Sequence, residues 1–113
     1  MARLEDYSFG HVVVDGERHS RDLIVLPERV VGDWWRKEGH SLVIEDLDEV
    51  LDELPERLIV GCGANGRLHP HPSVIEALAE RGIEVEALPT DEAVRRYGES
   101  NPASTAAALH LTC

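Results

Sequence analysis

The sequence predicts an α/β fold: a single compact domain on a mixed β-sheet, with a β-α-β crossover unit, an N-terminal β-hairpin and about three helices. Three observations carry that expectation. The run Leu58-Ile59-Val60 is apolar without interruption, as in a central strand buried on both faces. An amphipathic stretch with Val74, Ile75, Leu78 and Ala79 on one face follows, and then the alternating Ile83 to Leu88. That order gives a parallel strand pair with a right-handed crossover. The length of 113 residues suffices for one core and not for two, so residues 1–113 form one domain.

Taken along the chain, the first third reads as β. His11-Val12-Val13-Val14, the Asp15-Gly16 dipeptide and the later run Leu23-Ile24-Val25-Leu26 resemble a hairpin with an Asp-Gly turn. Pro27 ends the second run, and Val30 to Trp35 follows as a short strand or strand-to-turn segment. Leu47, Val50, Leu51 and Leu54 then fall at i, i+3, i+4 and i+7, the stripe of a short helix. Asp46 and Glu49 match a capping box, and Pro55 is the stop. The acids of this stretch mostly take the opposite face. They read as a solvated surface, because the spacing and glycine of a Ca²⁺ loop are missing. Ser73 with Glu76 marks a second helix that Gly82 ends. Thr90 is the expected N-cap of a third, with Asp91 and Glu92 in its first turn and Gly98 at its end. The tail from Ala103 carries alanines that favour helix, but Leu109-His110-Leu111-Thr112 reads as strand, and we take it as a final strand.

Charge and composition exclude several classes. The net charge is −11, from 22 acids against 11 bases, and Lys37 is the only lysine. Such a surface repels phosphate backbones, so no nucleic-acid partner is expected. No apolar run approaches the roughly 20 residues of a membrane span. The first residues lack the apolar core of a secretory signal, and the expectation is a cytoplasmic protein without membrane contact. The cysteines, Cys62 and Cys113, form no C-x-x-C pair and read as free thiols, with a mutual disulfide the minority alternative.

The motif that most invites a functional reading is Gly61-Cys62-Gly63-Ala64-Asn65-Gly66, directly after the apolar strand. It fits the glycine pattern that cradles pyrophosphate, but in that fold the glycines run straight into a helix. Here Arg67-Leu68-His69-Pro70-His71-Pro72 intervenes, and its two prolines forbid continuous helix. No Gly-Lys-Ser/Thr follows either, so a phosphate loop fails as well. The glycines serve a sharp turn off a central strand, and no cofactor is expected. A pocket still belongs there, since ligands of open α/β sheets sit beyond the carboxyl ends of strands; Thr90 would face it from the next strand end.

The other candidates weaken on inspection. His69 and His71, with His40 or His110, lack the spacing of a zinc site and read as surface-loop histidines. Cys62, at a strand end among backbone N–H groups, has a setting suited to a nucleophile with His110 as base, yet a small core residue accounts for it better. Trp34 and Trp35 on an extended segment point to opposite faces, one into the core and one available as an interface anchor.

The ordered set of these features resembles a known family. Gly10-His11-Val12-Val13-Val14-Asp15-Gly16 precedes Arg21-Asp22-Leu23-Ile24; then come Trp35, Gly39-His40-Ser41-Leu42, Leu58 to Gly63, Pro89 to Val94 and the terminal His110-Leu111-Thr112-Cys113. The chain is similar, over essentially its whole length, to the small α/β domains that include the adipogenesis-associated domain-containing protein and mitochondrial NADH:ubiquinone oxidoreductase assembly factor 3. The resemblance implies a compact domain with no established enzymatic activity, and binding rather than turnover. Cys62 stands where the family pattern often has a small hydroxyl residue, which leaves both chemistry and a size match open. The expected function is therefore a non-enzymatic binding or assembly-factor-like domain with a small pocket lined by Asp22, His40, Gly61, Cys62, Gly63, Thr90 and His110. Its protein-contact surface is expected at Trp34 and Trp35. The partner is a protein, a small ligand or a second copy of the chain. The alternative is a small hydrolytic or redox enzyme using Cys62 or His110.

Overall fold

The computed structural model describes residues 3–37 and 40–112. Its strands in chain order are β1 (Leu4–Ser8), β2 (His11–Val14), β3 (Glu17–His19), β4 (Leu23–Val25), β5 (Val30–Val31), β6 (Ser41–Leu42), β7 (Arg57–Cys62), β8 (His69–Pro70), β9 (Glu84–Leu88) and β10 (Thr105–His110). The two α-helices are α1 (Pro72–Glu80), between β8 and β9, and α2 (Thr90–Gly98), between β9 and β10. No described helix is long and apolar enough to cross a membrane.

A mixed five-stranded sheet organises the fold, in the order β5-β4-β10-β7-β9. β10 and β9 run parallel to β7, whereas β4 is antiparallel to both β10 and β5. The apolar run at Leu58 is thus next to the centre, as its unbroken hydrophobicity requires. All six residues of β10 are buried, and their alternation builds two cores. Ala106 and Ala108 join Leu58, Val60, Cys62, Val74 and Leu78 under α1. Ala107 and Leu109 join Ile59, Ala93 and Tyr97 under α2, where Val12 and Val14 of β2 complete the layer. The second face is covered by α2 together with a separate three-stranded sheet, β1-β2-β3.

Three local expectations are corrected. The hairpin turns at Asp15-Gly16, whose φ angles of 51° and 84° suit a tight two-residue turn. Its second strand, however, is β3, with Val14 opposite Glu17, and Leu23–Val25 leaves to pair with β10 in the main sheet. β1 adds to the hairpin from the other side, with an irregularity between Glu5 and Ser8.

The expected first helix is two 3₁₀ turns, Ile44–Leu47 and Leu51–Glu53. The i, i+3 spacing of its apolar residues serves a three-residue period equally well. Asp46 does not cap from in front; its carboxylate reaches back to the Val43 N–H at 3.0 Å. Val50, with ψ near 0°, separates the turns. Among the described residues the α-helices therefore number two, not three.

Finally, Pro89 rather than Thr90 occupies the N-cap of α2. Thr90 is fully buried and its hydroxyl is used elsewhere. The boundaries of β2, β7, α1, β9 and α2 agree with the sequence reading to within a residue or two, whereas β1, β6 and β8 were not expected, β5 stops at Val31 and the final strand begins at Thr105. Gly82, at φ 78°, closes α1 as expected of a glycine just past a helix end.

Candidate functional site

β4 is antiparallel to β10, with Leu23 opposite Leu109, so the residue before β4 lies beside the end of β10. That residue is Asp22. Its Oδ1 accepts the Leu111 N–H at 2.8 Å, and its Oδ2 accepts Arg36 Nη1 at 2.8 Å. His110 Nδ1 also lies 2.8 Å from Oδ2, and Arg36 Nη2 lies 3.1 Å from the same ring nitrogen. A protonated Nδ1 donates to Asp22; an unprotonated one accepts from Arg36. The segment carrying Arg36 is held across the strand end because the Trp34 N–H donates to the Asp22 carbonyl at 2.9 Å.

This cluster is nearly sealed. The side chains of Arg36, Asp22 and His110 retain 6%, 16% and 8% of their accessible surface, respectively. At such depth an unpaired charge is costly, and the mutual neutralisation of Arg36 and Asp22 is what permits it. Burial pushes the Asp22 carboxyl up, but hydrogen bonds from His110, the Leu111 amide and Arg36 more than offset it and hold the group below its usual range. The Arg36 guanidinium also lies 4.9 Å from the Trp34 ring centroid, within cation–π range. Its Nε is buried and unpartnered.

The tryptophan pair divides as the sequence suggests, although neither residue is in a strand. Trp34 is buried, and its indole Nε1 donates to the Asp46 carbonyl at 2.9 Å. Trp35 remains 74% exposed. Asp33, at φ 51°, turns the chain immediately before the pair. A cavity of about 300 Å³ opens here, lined by Arg21, Asp22, Asp33, Trp34, Trp35 and Arg36. Beside it a groove of about 490 Å³ runs from the same tryptophans to Lys37 and the first 3₁₀ turn.

The residues expected to line one pocket thus separate. Asp22 and His110 come together, and Asp22 shares a cavity with both tryptophans. Gly61, Gly63 and Thr90 also come together, but inside the protein. The Thr90 hydroxyl accepts the Gly63 N–H at 2.8 Å and donates to the His110 carbonyl at 2.6 Å. A Cβ on Gly61 would stand 2.9 Å from Leu109 Cδ2 and 3.0 Å from Thr90 Oγ1. Gly63, at φ 96°, makes the turn off β7, and its N–H is already taken by the Thr90 hydroxyl. His40 is exposed at the start of β6, where its carbonyl accepts the His69 N–H at 3.0 Å. His71 caps α1 through Nδ1, 3.1 Å from the Ser73 N–H.

Cys62 is the register partner of His110 across β7 and β10, yet its thiol is not activated. Burial pushes it up to about 11, against a weaker opposing hydrogen bond from the Leu88 backbone. The sulfur lies 3.7 Å from the Val60 carbonyl and packs in the α1-side core. Cys113 falls outside the described residues, and with it the Cys62–Cys113 pairing.

Arg36 is the residue that sequence reasoning missed. It lies between Trp35 and Lys37 in an irregular segment, so no periodicity marks it as buried. No signal in the sequence singles it out, since Arg18, Arg21 and Arg29 all lie nearer to Asp22 along the chain.

Comparison with known proteins identifies the family and the fold. The profile of a family described as a protein of unknown function (DUF498/DUF598) matches residues 4–111. The solved structure of MT938 is 31% identical over 100% of both chains, with a TM-score of 0.79. A conserved hypothetical protein of Pyrococcus horikoshii is 27% identical over 98% of this chain and 99% of its own, with a TM-score of 0.83. A Bordetella pertussis protein described as an Mth938-like domain shares the fold at 21% identity over 97% of this chain and 85% of its own, with a TM-score of 0.73. The chain belongs to the DUF498/DUF598 family of proteins of unknown function, in keeping with the small α/β domains its sequence resembles.

Proposed function

We propose that this domain binds rather than catalyses, and that it contacts a protein partner through the surface around Trp35. The observation that carries the reading is the exposure of Trp35 beside a cavity with one internally paired wall. Tryptophan is enriched among the few residues that dominate interface energetics, and it serves best when its surroundings are already ordered. Arg36 and Asp22, which line that cavity, are paired with one another and with His110 behind them, so that wall is held in place. The competing reading, thiol catalysis at Cys62, runs against a buried sulfhydryl pushed up to about 11.

The test is a thermal-shift screen of the protein and its Trp35→Ala variant. The panel holds nucleotides, metabolite acids, divalent metals, acyl carriers and short peptides. A ligand at a hundred times its dissociation constant adds about 2.7 kcal/mol, a shift of several degrees for a domain of this size. A peptide or protein hit that disappears in Trp35→Ala supports the reading. A small-molecule hit that Trp35→Ala leaves intact refutes it.

A further inference from the structure

We infer that the segment docking at Trp35 is cationic: a lysine- or arginine-bearing stretch of a partner protein lying in the groove between Trp35 and the first 3₁₀ turn. The inference rests on the docking reading above and adds the chemistry of the occupant. Among the described residues, the groove is lined by Asp33, Glu45, Asp46, Asp48 and Glu49 against only Arg36 and Lys37. These charges differ in how far they are already used. Arg36 is neutralised by Asp22 at 2.8 Å. The Asp46 carboxylate accepts the backbone N–H groups of Lys37 and Val43 at 3.1 and 3.0 Å. Asp33 lies 3.4 Å from Arg21. Glu45, Asp48 and Glu49 are exposed and, among the described residues, make no ion pair. Even counted with Lys37, and with Arg29 acting on Glu49 from outside the groove, these acids leave it net negative beside an exposed indole.

An indole face flanked by carboxylates is a favourable setting for a cation, and the neighbouring indole already holds one, the Arg36 guanidinium over Trp34. The other occupants fit less well. A second copy of this chain, despite its ten arginines, carries the same net charge of −11, so its overall approach to an acidic groove is repulsive. Small-molecule pockets are lined mainly by apolar side chains, whereas this groove is rimmed by five acids. A basic peptide segment matches both the open shape and the sign of the surface.

The experiment is an array of random twelve-residue peptides probed with the whole protein, with Trp35→Ala, and with the triple variant Glu45→Gln, Asp48→Asn, Glu49→Gln. Those three side chains are exposed and outside every described ion pair, so the triple variant keeps the wild-type melting temperature. The expected result is a set of binders enriched in lysine and arginine, weakened about tenfold by Trp35→Ala and several-fold by the triple variant or by raised salt. Binders that need Trp35 but are acidic or uncharged overturn the cationic assignment and leave the docking surface standing. Binders that ignore Trp35, or no binders at all, overturn both.

Discussion

Two regions meet at the end of β10 and are built on opposite principles. On the inner side, Gly61, Gly63, Thr90 and the His110 carbonyl form a closed junction: the Thr90 hydroxyl is paired on both sides and a single added methyl would collide. On the outer side, Asp22, Arg36 and the His110 ring form a closely paired cluster too, but with Trp35 and an open cavity above it. His110 belongs to both, through its carbonyl in one and its imidazole in the other. The strand-end rule for ligand sites holds only to within a few ångströms here. The chain fills the position beyond β7 with its own threonine and leaves the opening one strand over, beyond the β4–β10 edge of the parallel set. Both regions are paired; what separates the candidate site from the structural region is the open cavity beside it, not glycine content.

The outer cluster should prove the more fragile of the two. Replacing Asp22 by alanine strands the buried Arg36 guanidinium, and loss of one partner from a buried pair costs about 3–5 kcal/mol. Urea denaturation at neutral pH reads this directly. The same carboxylate gives a pH signature. Because its native value is depressed, its contribution is complete above the unfolded value of about 3.9 and is lost as pH falls through the native one. The stability gap between wild type and Asp22→Asn should therefore be widest near neutrality and shrink in acid. A gap constant from pH 7 to below about 3 would show that Asp22 is not the charged hub of this region.

The inner junction should respond next. Thr90→Val keeps the β-branched shape but leaves the Gly63 N–H and the His110 carbonyl without their partner, a loss of about 1–3 kcal/mol. Gly61→Ala drives a methyl against the Thr90 hydroxyl, which two hydrogen bonds hold in place, and against the fully buried Leu109. Overpacking of this kind costs about 1–3 kcal/mol. If either variant instead abolished binding at unchanged stability, the closed region would be the functional one and the comparison would invert.

Between the regions sits Cys62, register partner of His110. With its thiol pushed up to about 11, native Cys62 should react with iodoacetamide at neutral pH only as fast as the protein opens, in a Cys113→Ser background that reports Cys62 alone. Denaturant should restore ordinary thiol reactivity. Rapid alkylation of the folded protein, slowed by His110→Ala, would restore the enzyme reading.

The regular part of this fold was legible because its signals are local. The apolar run at Leu58, the amphipathic α1, the alternating β9 and the Gly82 stop each fix an element without reference to the rest. The Asp15-Gly16 turn was legible for the same reason, but its second strand was not. Glu17–His19 is too polar to advertise itself, and Leu23–Val25 is so apolar that it reads as the partner when its true neighbour is β10. The 3₁₀ turns failed because a three-residue and a 3.6-residue period coincide over so short a stretch. At the candidate site, Asp22 and the tryptophans could be singled out by residue type. Arg36 could not, because its burial depends on a carboxylate 14 positions away and an imidazole 74 positions away.

The smallest expected stability effect is the most telling one. Trp35 is 74% exposed and lines a cavity without supporting either core, so Trp35→Ala should change folding stability by no more than about 0.5 kcal/mol. Trp34, one position earlier, is buried, donates to the Asp46 carbonyl and stacks on Arg36, and its replacement by alanine should cost about 3–5 kcal/mol. Two adjacent residues of the same type then differ by an order of magnitude in what the fold requires of them. A large side chain that the fold does not need, held beside a cavity by one that it does, is the pattern expected of a residue kept for contact with something else. Equal losses from the two substitutions would make Trp35 part of the scaffold and remove the main support for a docking surface at this corner.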